Sequence, residues 1–203
     1  MDMERLQKQM EFCRRIDAEK QIGRQTYLAD ASRKENDAEH AWHMAVMTLL
    51  LSEYSNEEID VLKTVSMLLI HDLVEIYAGD TYAYDEEAQK TQKQRELAAA
   101  DRLFGILPGD QETKIRSLWN EFEEAETAEA RFAHTMDNIQ PAMLNCASDG
   151  KSWKEKQVKL SQILKRNEHT KDGSNELWSY AYQNFIKPHV ENGHIQGDVD
   201  YDI

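Results

Sequence analysis

The chain is poor in the residues that interrupt helices: its 203 residues include only 8 glycines and 3 prolines. Folds made of many short strands need frequent tight turns, and Gly and Pro supply those turns. This scarcity argues against a β-sandwich and favours helices. Hydrophobic residues make up 40% and charged residues 31% of the chain, which is ordinary for a helix-rich globular protein of one domain.

Positive charge is also scarce: the chain has 24 Lys and Arg residues but 38 Asp and Glu residues, which gives a net charge of −14. A long nucleic-acid polymer is repelled by such a surface, and no cluster of Lys and Arg offsets the repulsion. We therefore expect no nucleic-acid polymer as a partner. A small phosphorylated ligand is still compatible with the charge, because a bound cation reverses the local sign.

Cysteines and long apolar runs are both lacking. Cys13 and Cys146 match no metal-binding spacing and are typical of reduced cysteines in a cytoplasmic protein. The longest apolar run, residues 44–51, contains Thr48 and is too short to span a bilayer, so we expect no membrane segment. Residues 1–15 are charged throughout, unlike a signal peptide.

Apolar residues recur at helical spacing through most of the chain. The pattern predicts an all-α, single-domain bundle of about seven to nine helices over residues 1–203, ending in a loose acidic tail at 193–203. The predicted helices fall at about 3–21, 36–54, 61–80, 85–104, 111–124, 127–148, 153–167 and 175–190.

The central helix, residues 61–80, carries an unusual polar group at its end. His71 and Asp72 are adjacent, and Glu75 follows one turn after His71 on the same helical face. An imidazole and a carboxylate on an otherwise apolar helix need partners. A divalent metal satisfies both, because both are good metal ligands. A buried His–Asp ion pair or a helix cap is the alternative.

Two other helices offer similar groups. His40 and His43 both lie near the start of the helix at 36–54, on partly apolar faces, and their spacing alone does not choose between them. Asp137 lies in the middle of the helix at 127–148, where Pro141 is expected to kink the chain. A mid-helix Asp on an apolar face must be paired or bound.

The order H…HD…D, with gaps of 31 and 65 residues, resembles the HD-domain superfamily of metal-dependent phosphohydrolases, and most closely its 5′-deoxynucleotidase branch. The similar motifs are E-N-x-x-E-H, H-D-x-x-E and G-D, followed by a late Asp; here they comprise Glu35, Asn36, Glu39, His40, His71, Asp72, Glu75, Gly79, Asp80 and Asp137. The resemblance implies that the metal ligands are His40 rather than His43, together with His71, Asp72 and Asp137.

The remaining site residues follow from chemistry and from the resemblance. Glu75 is placed to orient a water molecule or accept its proton. The resemblance implies that Asp80 protonates the leaving oxygen and that Thr81 adds a hydrogen bond. Arg24 is similar to the family's phosphate-binding residue, and Arg33 is a second candidate. The family's branch has Trp after this Arg, but here Gln25 follows, which leaves the preference for deoxyribose open.

The predicted function is release of phosphate from nucleoside (deoxy)5′-monophosphates or similar small phosphomonoesters, using water activated by one divalent metal. Mn, Co, Fe, Ni, Zn and Mg all remain candidates for that ion. A second metal lacks ligands, because His134 is the only His between Asp72 and Asp137. Hydrolysis of a nucleoside triphosphate or another phosphate ester is one alternative, and a non-catalytic nucleotide-binding protein is another. The resemblance also implies a homodimer.

Overall fold

The structure is a computed structural model that describes residues 2–79 and 86–201. Its helices are Met3–Arg15 (α1), Asp37–Leu51 (α2), Val61–Ile70 (α3), Glu75–Ala78 (α4), Glu86–Phe104 (α5), Gly109–Glu124 (α6), Ala128–Ala147 (α7), Lys151–Lys156 (α8), Leu160–Arg166 (α9), Thr170–Gly173 (α10), Asn175–Ala181 (α11) and Lys187–Glu191 (α12). The predicted all-α fold class is confirmed.

A small antiparallel hairpin precedes α2, formed by Gly23–Tyr27 (β1) and Lys34–Asn36 (β2). The sequence predicts only an irregular stretch here, because these short strands show no clear alternation of apolar and polar residues. The hairpin matters for the site because β1 packs against α7 and carries Arg24.

The structure divides several predicted helices into shorter pieces. The stretch predicted at 61–80 is α3, then a 3₁₀ turn at His71–Val74, then α4. A 3₁₀ turn winds more tightly than an α-helix and often marks a functional position. The stretch at 153–167 is divided between α8 and α9, where Gln157 has a left-handed φ of 52°. A π-turn at Tyr182–Ile186 separates α11 from α12.

The start of α2 is fixed by a reciprocal cap, as the sequence predicts. The Asn36 side chain accepts from the Glu39 N–H at 3.0 Å, and the Glu39 carboxylate accepts from the Asn36 N–H at 3.1 Å. This capping box sets the first turn of α2 and thereby the direction of His40, which is completely buried.

The central core joins the helices that carry the predicted ligands. α7 packs against α2, α3, α6, α10 and α11. Met44 of α2, Met67 of α3, and Phe132 and Met136 of α7 are fully buried in one cluster. Burial of such side chains contributes about 1.5–3 kcal/mol each, so this core holds the three helices in a fixed relation. α7 also continues through Pro141, so it is not interrupted there.

The described part of the C-terminal segment is packed, which corrects the expectation of a loose tail from residue 193. Ile195 is 1% exposed in a cluster with Trp153 and Tyr182. Gln196 pairs through its backbone with Val158 and Leu160. The Tyr182 hydroxyl donates to the carbonyl of Tyr201 at 2.8 Å. Although the segment is acidic, one of its apolar side chains, that of Ile195, is buried in this cluster.

No helix among the residues described is both long enough and apolar enough to cross a membrane.

Candidate functional site

The four predicted ligands come together where α2, α3 and α7 meet. One ligand atom from each of His40, His71 and Asp72 lies within 4.8 Å of the others. The Asp137 Oδ1 lies 3.0 Å from the Nε2 of His40 and 4.0 Å from the Nε2 of His71. The core described above therefore brings two imidazoles and two carboxylates from distant parts of the chain to one point.

Both histidines are oriented by their other ring nitrogen. The His40 Nδ1 lies 2.8 Å from the Oε1 of Gln140, and the His71 Nδ1 lies 2.9 Å from the backbone carbonyl of Leu68. Each acceptor favours a proton on Nδ1 and leaves Nε2 facing the carboxylates. Gln140 is itself fully buried, and its amide nitrogen donates to the Oε2 of Glu35 at 2.9 Å.

The two imidazoles have opposite electrostatic environments. Burial, together with the charge of Arg24, lowers the pKa of His40 to about 4. Burial also opposes a charge on His71, but the carboxylate of Asp72 outweighs it and raises the pKa of His71 to about 9. In the protein without an ion, a proton on His71 therefore offsets part of the negative charge at the centre.

Each of the two predicted carboxylate ligands is also held by an arginine. Nη1 of Arg24 lies 2.9 Å from the Oδ2 of Asp72, and Nη2 of Arg166 lies 3.0 Å from the Oδ2 of Asp137. Burial opposes ionisation of both acids, but His71 beside Asp72 and His40 beside Asp137 hold the pKa values of these carboxyls well below their usual range. Both acids are thus ionised and fixed in position.

These groups fit a divalent metal ion. The Nε2 of His71 is buried and makes no hydrogen bond of acceptable geometry among the residues described, although the Oδ2 of Asp72 lies 3.0 Å away. A buried nitrogen left in this way needs a partner. A mixed set of imidazole and carboxylate donors suits first-row transition metals better than calcium.

Glu75 and Asp37 form a carboxyl pair beside the ligands. Glu75 lines the cavity next to His71 and Asp72, and it is hydrogen-bonded to Asp37, which is completely buried at the start of α2. Burial, with the charge of Asp72 adding to it, raises the pKa of Asp37 to about 7. Two hydrogen-bonded carboxyl groups share one proton, so this pair holds a proton near neutral pH.

His43 lies behind the ligands. Its Nδ1 is 3.2 Å from the amide nitrogen of Gln140, and its ring stacks beside Trp42 with centroids 6.0 Å apart. His43 is not in the group of ligand atoms around His71. It therefore contacts the group that orients His40.

A cavity of about 310 Å³ opens beside this centre. The wall is formed by β1, the 3₁₀ turn at His71–Val74, and helices α4 to α9. It combines the charged groups already described with two further acids, with other polar side chains and with a few apolar ones. Beyond the centre the lining residues are Gln25, Thr26, Val74, Gln92, Glu96, Phe122, Glu123, His134, Asn138, Pro141, Ala142, Asn145, Ser152, Trp153, Ile163 and Asn167. This is the size of a site for one small ligand.

The other predicted substrate residues are placed differently. Arg24 lines the cavity. Arg33 is exposed, pairs with Glu39, and is not among the residues that line the cavity. Asp80 and Thr81 lie outside the described residues, so their predicted roles stay predictions.

Sequence reasoning missed Gln140, Arg166 and the pairing of Asp37 with Glu75. Gln140 follows Asp137 by three residues, so its helical spacing to a predicted ligand was a usable signal. Arg166 had no such signal, because it comes from α9, 29 residues after Asp137. Asp37 was obscured by its position inside a helix-capping motif.

Comparisons with known proteins agree with this geometry. The sequence model described as "HD domain" matches residues 16–178. The 5′-deoxynucleotidase HDDC2 of Bos taurus is 27% identical over 155 residues, which cover 76% of this chain and 73% of that protein. The protein of the same name from Xenopus laevis is 26% identical over 132 residues, and the match spans 64% of each chain.

A solved structure is similar along nearly the whole chain. It is a "Predicted metal-dependent phosphohydrolase" from Magnetospirillum magnetotacticum, with a TM-score of 0.89 and 44% identity, and the match covers 94% of this chain and 95% of that one. Together the comparisons confirm the resemblance inferred from the motifs.

Proposed function

This chain belongs to the HD-domain family, and from that premise we propose that it is a metal-dependent phosphohydrolase that releases phosphate from nucleoside 5′-monophosphates or similar small phosphomonoesters. The family and the names of its relatives support a hydrolase, as the motifs predict. The observation that carries the proposal is the convergence of His40, His71, Asp72 and Asp137 around a buried nitrogen that has no hydrogen-bond partner within residues 2–79 and 86–201.

These four residues would hold one divalent metal through two nitrogen and two oxygen atoms. When bound, such an ion supplies an electrophile that acidifies water and offsets negative charge on a phosphoryl group. Among the described residues, one cluster of three or more potential metal ligands lies close enough together, and it consists of His40, His71 and Asp72. That supports one ion rather than two.

The phosphate is proposed to lie against Arg24 and Arg166. Both side chains reach the cavity and end on the ligand carboxylates, so their remaining N–H groups can donate to phosphoryl oxygens. A guanidinium binds such oxygens in a forked geometry. Arg33 faces its partner Glu39, which makes Arg24 the better supported of the two predicted arginines.

Glu75 is proposed to take the proton from the attacking water. Its carboxyl borders the ligands in the cavity and shares a hydrogen bond with Asp37. Burial raises the pKa of Asp37 to about 7, and the hydrogen bond with Glu75 acts against that rise, so the two carboxyl groups compete for one proton. The proposed roles of Asp80 at the leaving oxygen and of Thr81 rest on the resemblance alone.

A panel of phosphorylated metabolites assayed with several divalent metals tests the activity itself. Glu75→Gln tests the division of roles, because the amide keeps the shape but cannot accept a proton. We expect turnover in single-turnover experiments to fall by about 10²–10⁴-fold while metal content stays near that of the wild type.

Asp72→Ala is the matched control. It removes a ligand rather than the base, so it should lose both the metal and the activity while circular dichroism shows that the helices remain. A Glu75→Gln protein that keeps full activity, or one that has lost its metal, would refute the role given to Glu75.

We also propose that the chain forms a homodimer in the cytoplasm. Exposed large apolar side chains lie on the outer faces of α2 and α3, and such clusters usually mark contact surfaces. They are Trp42, Val46, Leu49, Leu50, Leu62 and Leu69. Sedimentation analysis of wild type and Leu49→Asp would test it, because a dimer formed through this surface should dissociate in the variant and a monomeric wild type would exclude it.

A further inference from the structure

The cavity continues beyond the metal centre along one face of α7. After Asp137, its wall includes Asn138, Pro141, Ala142 and Asn145, at spacings of three and four residues that keep side chains on one side of a helix. Asn145 comes eight residues after Asp137, which at 1.5 Å per residue is about 12 Å along the helix axis. A nucleotide is long enough to extend from the metal to this end of the cavity.

Asn145 presents a buried amide at that end. It is 8% exposed, and its Oδ1 is buried without a hydrogen-bond partner among the residues described. The Oδ1 of Asn138, on the same side of α7, is likewise buried without a hydrogen-bond partner among the described residues, although the amide nitrogen of Asn138 donates to the hydroxyl of Thr170. Buried acceptors of this kind are rare and need an explanation. A ligand that donates hydrogen bonds would supply one.

The cavity wall that includes Asn145 also includes apolar side chains. The backbone carbonyl of Asn145 accepts from the N–H of Gly150 at 2.8 Å, which fixes the start of α8 beside it. Trp153 follows within the first turn of α8, and Ile163 of α9 lines the same cavity. A flat organic ring is usually bound by apolar walls with one or two well-placed polar groups.

We propose that this end of the cavity binds the nucleobase and that Asn145 pairs with its edge. The inference rests on the proposed function, because it assumes a phosphate held at the metal. An amide presents an acceptor and a donor side by side, and the common bases present a donor next to an acceptor on their pairing edges. Asn145 thus recognises a base in general and does not select one base.

The test compares two substrates in two proteins. Wild type and Asn145→Ala are each assayed for kcat/KM on 2′-deoxyadenosine 5′-monophosphate and on 2-deoxyribose 5-phosphate, which lacks the base. We expect Asn145→Ala to lower kcat/KM on the nucleotide by about tenfold, the effect of one or two hydrogen bonds. Its kcat/KM on the sugar phosphate should stay within about twofold of wild type, because that substrate does not reach Asn145.

The sugar phosphate also reports whether the variant folds. Asn184→Ala, an exposed Asn outside the cavity, should leave both substrates unaffected and serves as the matched control. If Asn145→Ala that is shown by circular dichroism to be folded loses kcat/KM on both substrates equally, or on neither, the base does not bind there. If wild type hydrolyses both substrates with equal kcat/KM, the subsite is refuted but the phosphohydrolase proposal survives. Hydrolysis of neither by wild type would overturn both.

Discussion

Replacing Gln140 with Leu should weaken metal binding although Gln140 does not touch the metal. Gln140 is completely buried, and its Oε1 accepts the proton of the His40 Nδ1 at 2.8 Å. Leu fills a similar volume but accepts no hydrogen bond. The His40 proton is then free to move to Nε2, the nitrogen that faces Asp137. Loss of such an orienting partner typically costs 10–100-fold in metal affinity, which is about 1.4–2.7 kcal/mol.

The same substitution should also reduce folding stability. The Oε2 of Glu35 loses its donor at 2.9 Å, and Nδ1 of His40 loses its acceptor. Each buried group left unpaired costs about 1–3 kcal/mol. A loss of stability alone does not separate orientation of a ligand from a general structural role, so metal affinity must be measured on folded protein.

Two further variants distinguish orientation of the ligand from a general structural role. Gln140→Glu keeps an acceptor for His40 but loses the donor to Glu35, so it should restore metal affinity while remaining less stable than wild type. Thr135→Val removes hydrogen bonds of an equally buried residue on the same helix, including one to the Thr170 carbonyl at 2.7 Å, and should leave metal affinity unchanged. Calorimetric titration of metal into metal-free protein measures the ranking. Wild-type affinity in Gln140→Leu would refute the reasoning.

Three other predictions follow from burial and contacts. His40→Gln should abolish activity and His43→Gln should lower it only modestly, since His43 reaches the centre through Gln140; the reverse ranking in a steady-state assay would mean that the ligand has been misassigned. Burial, to which the charge of Asp72 adds, raises the pKa of Glu19 to about 7. Between the usual pKa of a Glu carboxyl and pH 7, the folded protein keeps a proton on Glu19 that the unfolded chain releases. The free energy of unfolding therefore falls as the pH rises through this range. In urea unfolding of metal-free protein, Glu19→Gln should therefore be more stable than wild type at pH 8 by on the order of 2 kcal/mol, and the difference should shrink towards pH 5. If the stabilities of the two proteins changed equally with pH, this prediction would be wrong. In thermal unfolding, Ile195→Ala should lower the free energy of unfolding by about 2–5 kcal/mol, whereas Val199→Ala, at an exposed position, should lower it by almost nothing. A loose tail predicts no difference between the two variants.

The sequence was sufficient to predict the fold class and to single out the candidate metal ligands, because both are expressed locally. Helical spacing of apolar residues follows from the geometry of one helix, and the cap of α2 needs only Asn36 and Glu39. His71 and Asp72 are neighbours in the chain, so their chemistry is visible without a fold. Asp137 could be singled out because a charge on an apolar helical face must find a partner elsewhere.

Only the tertiary structure decided how those residues are supported. The 3₁₀ turn at His71–Val74 interrupts a stretch whose spacing predicts a continuous helix. Arg166 reaches Asp137 from a separate helix, and Ile195 enters a core pocket from an acidic segment. Such contacts depend on packing between distant parts of the chain, which periodicity along one helix does not encode. The sequence determined which groups are candidates for the chemistry, whereas packing decided their orientation, their protonation and the shape of the cavity they share.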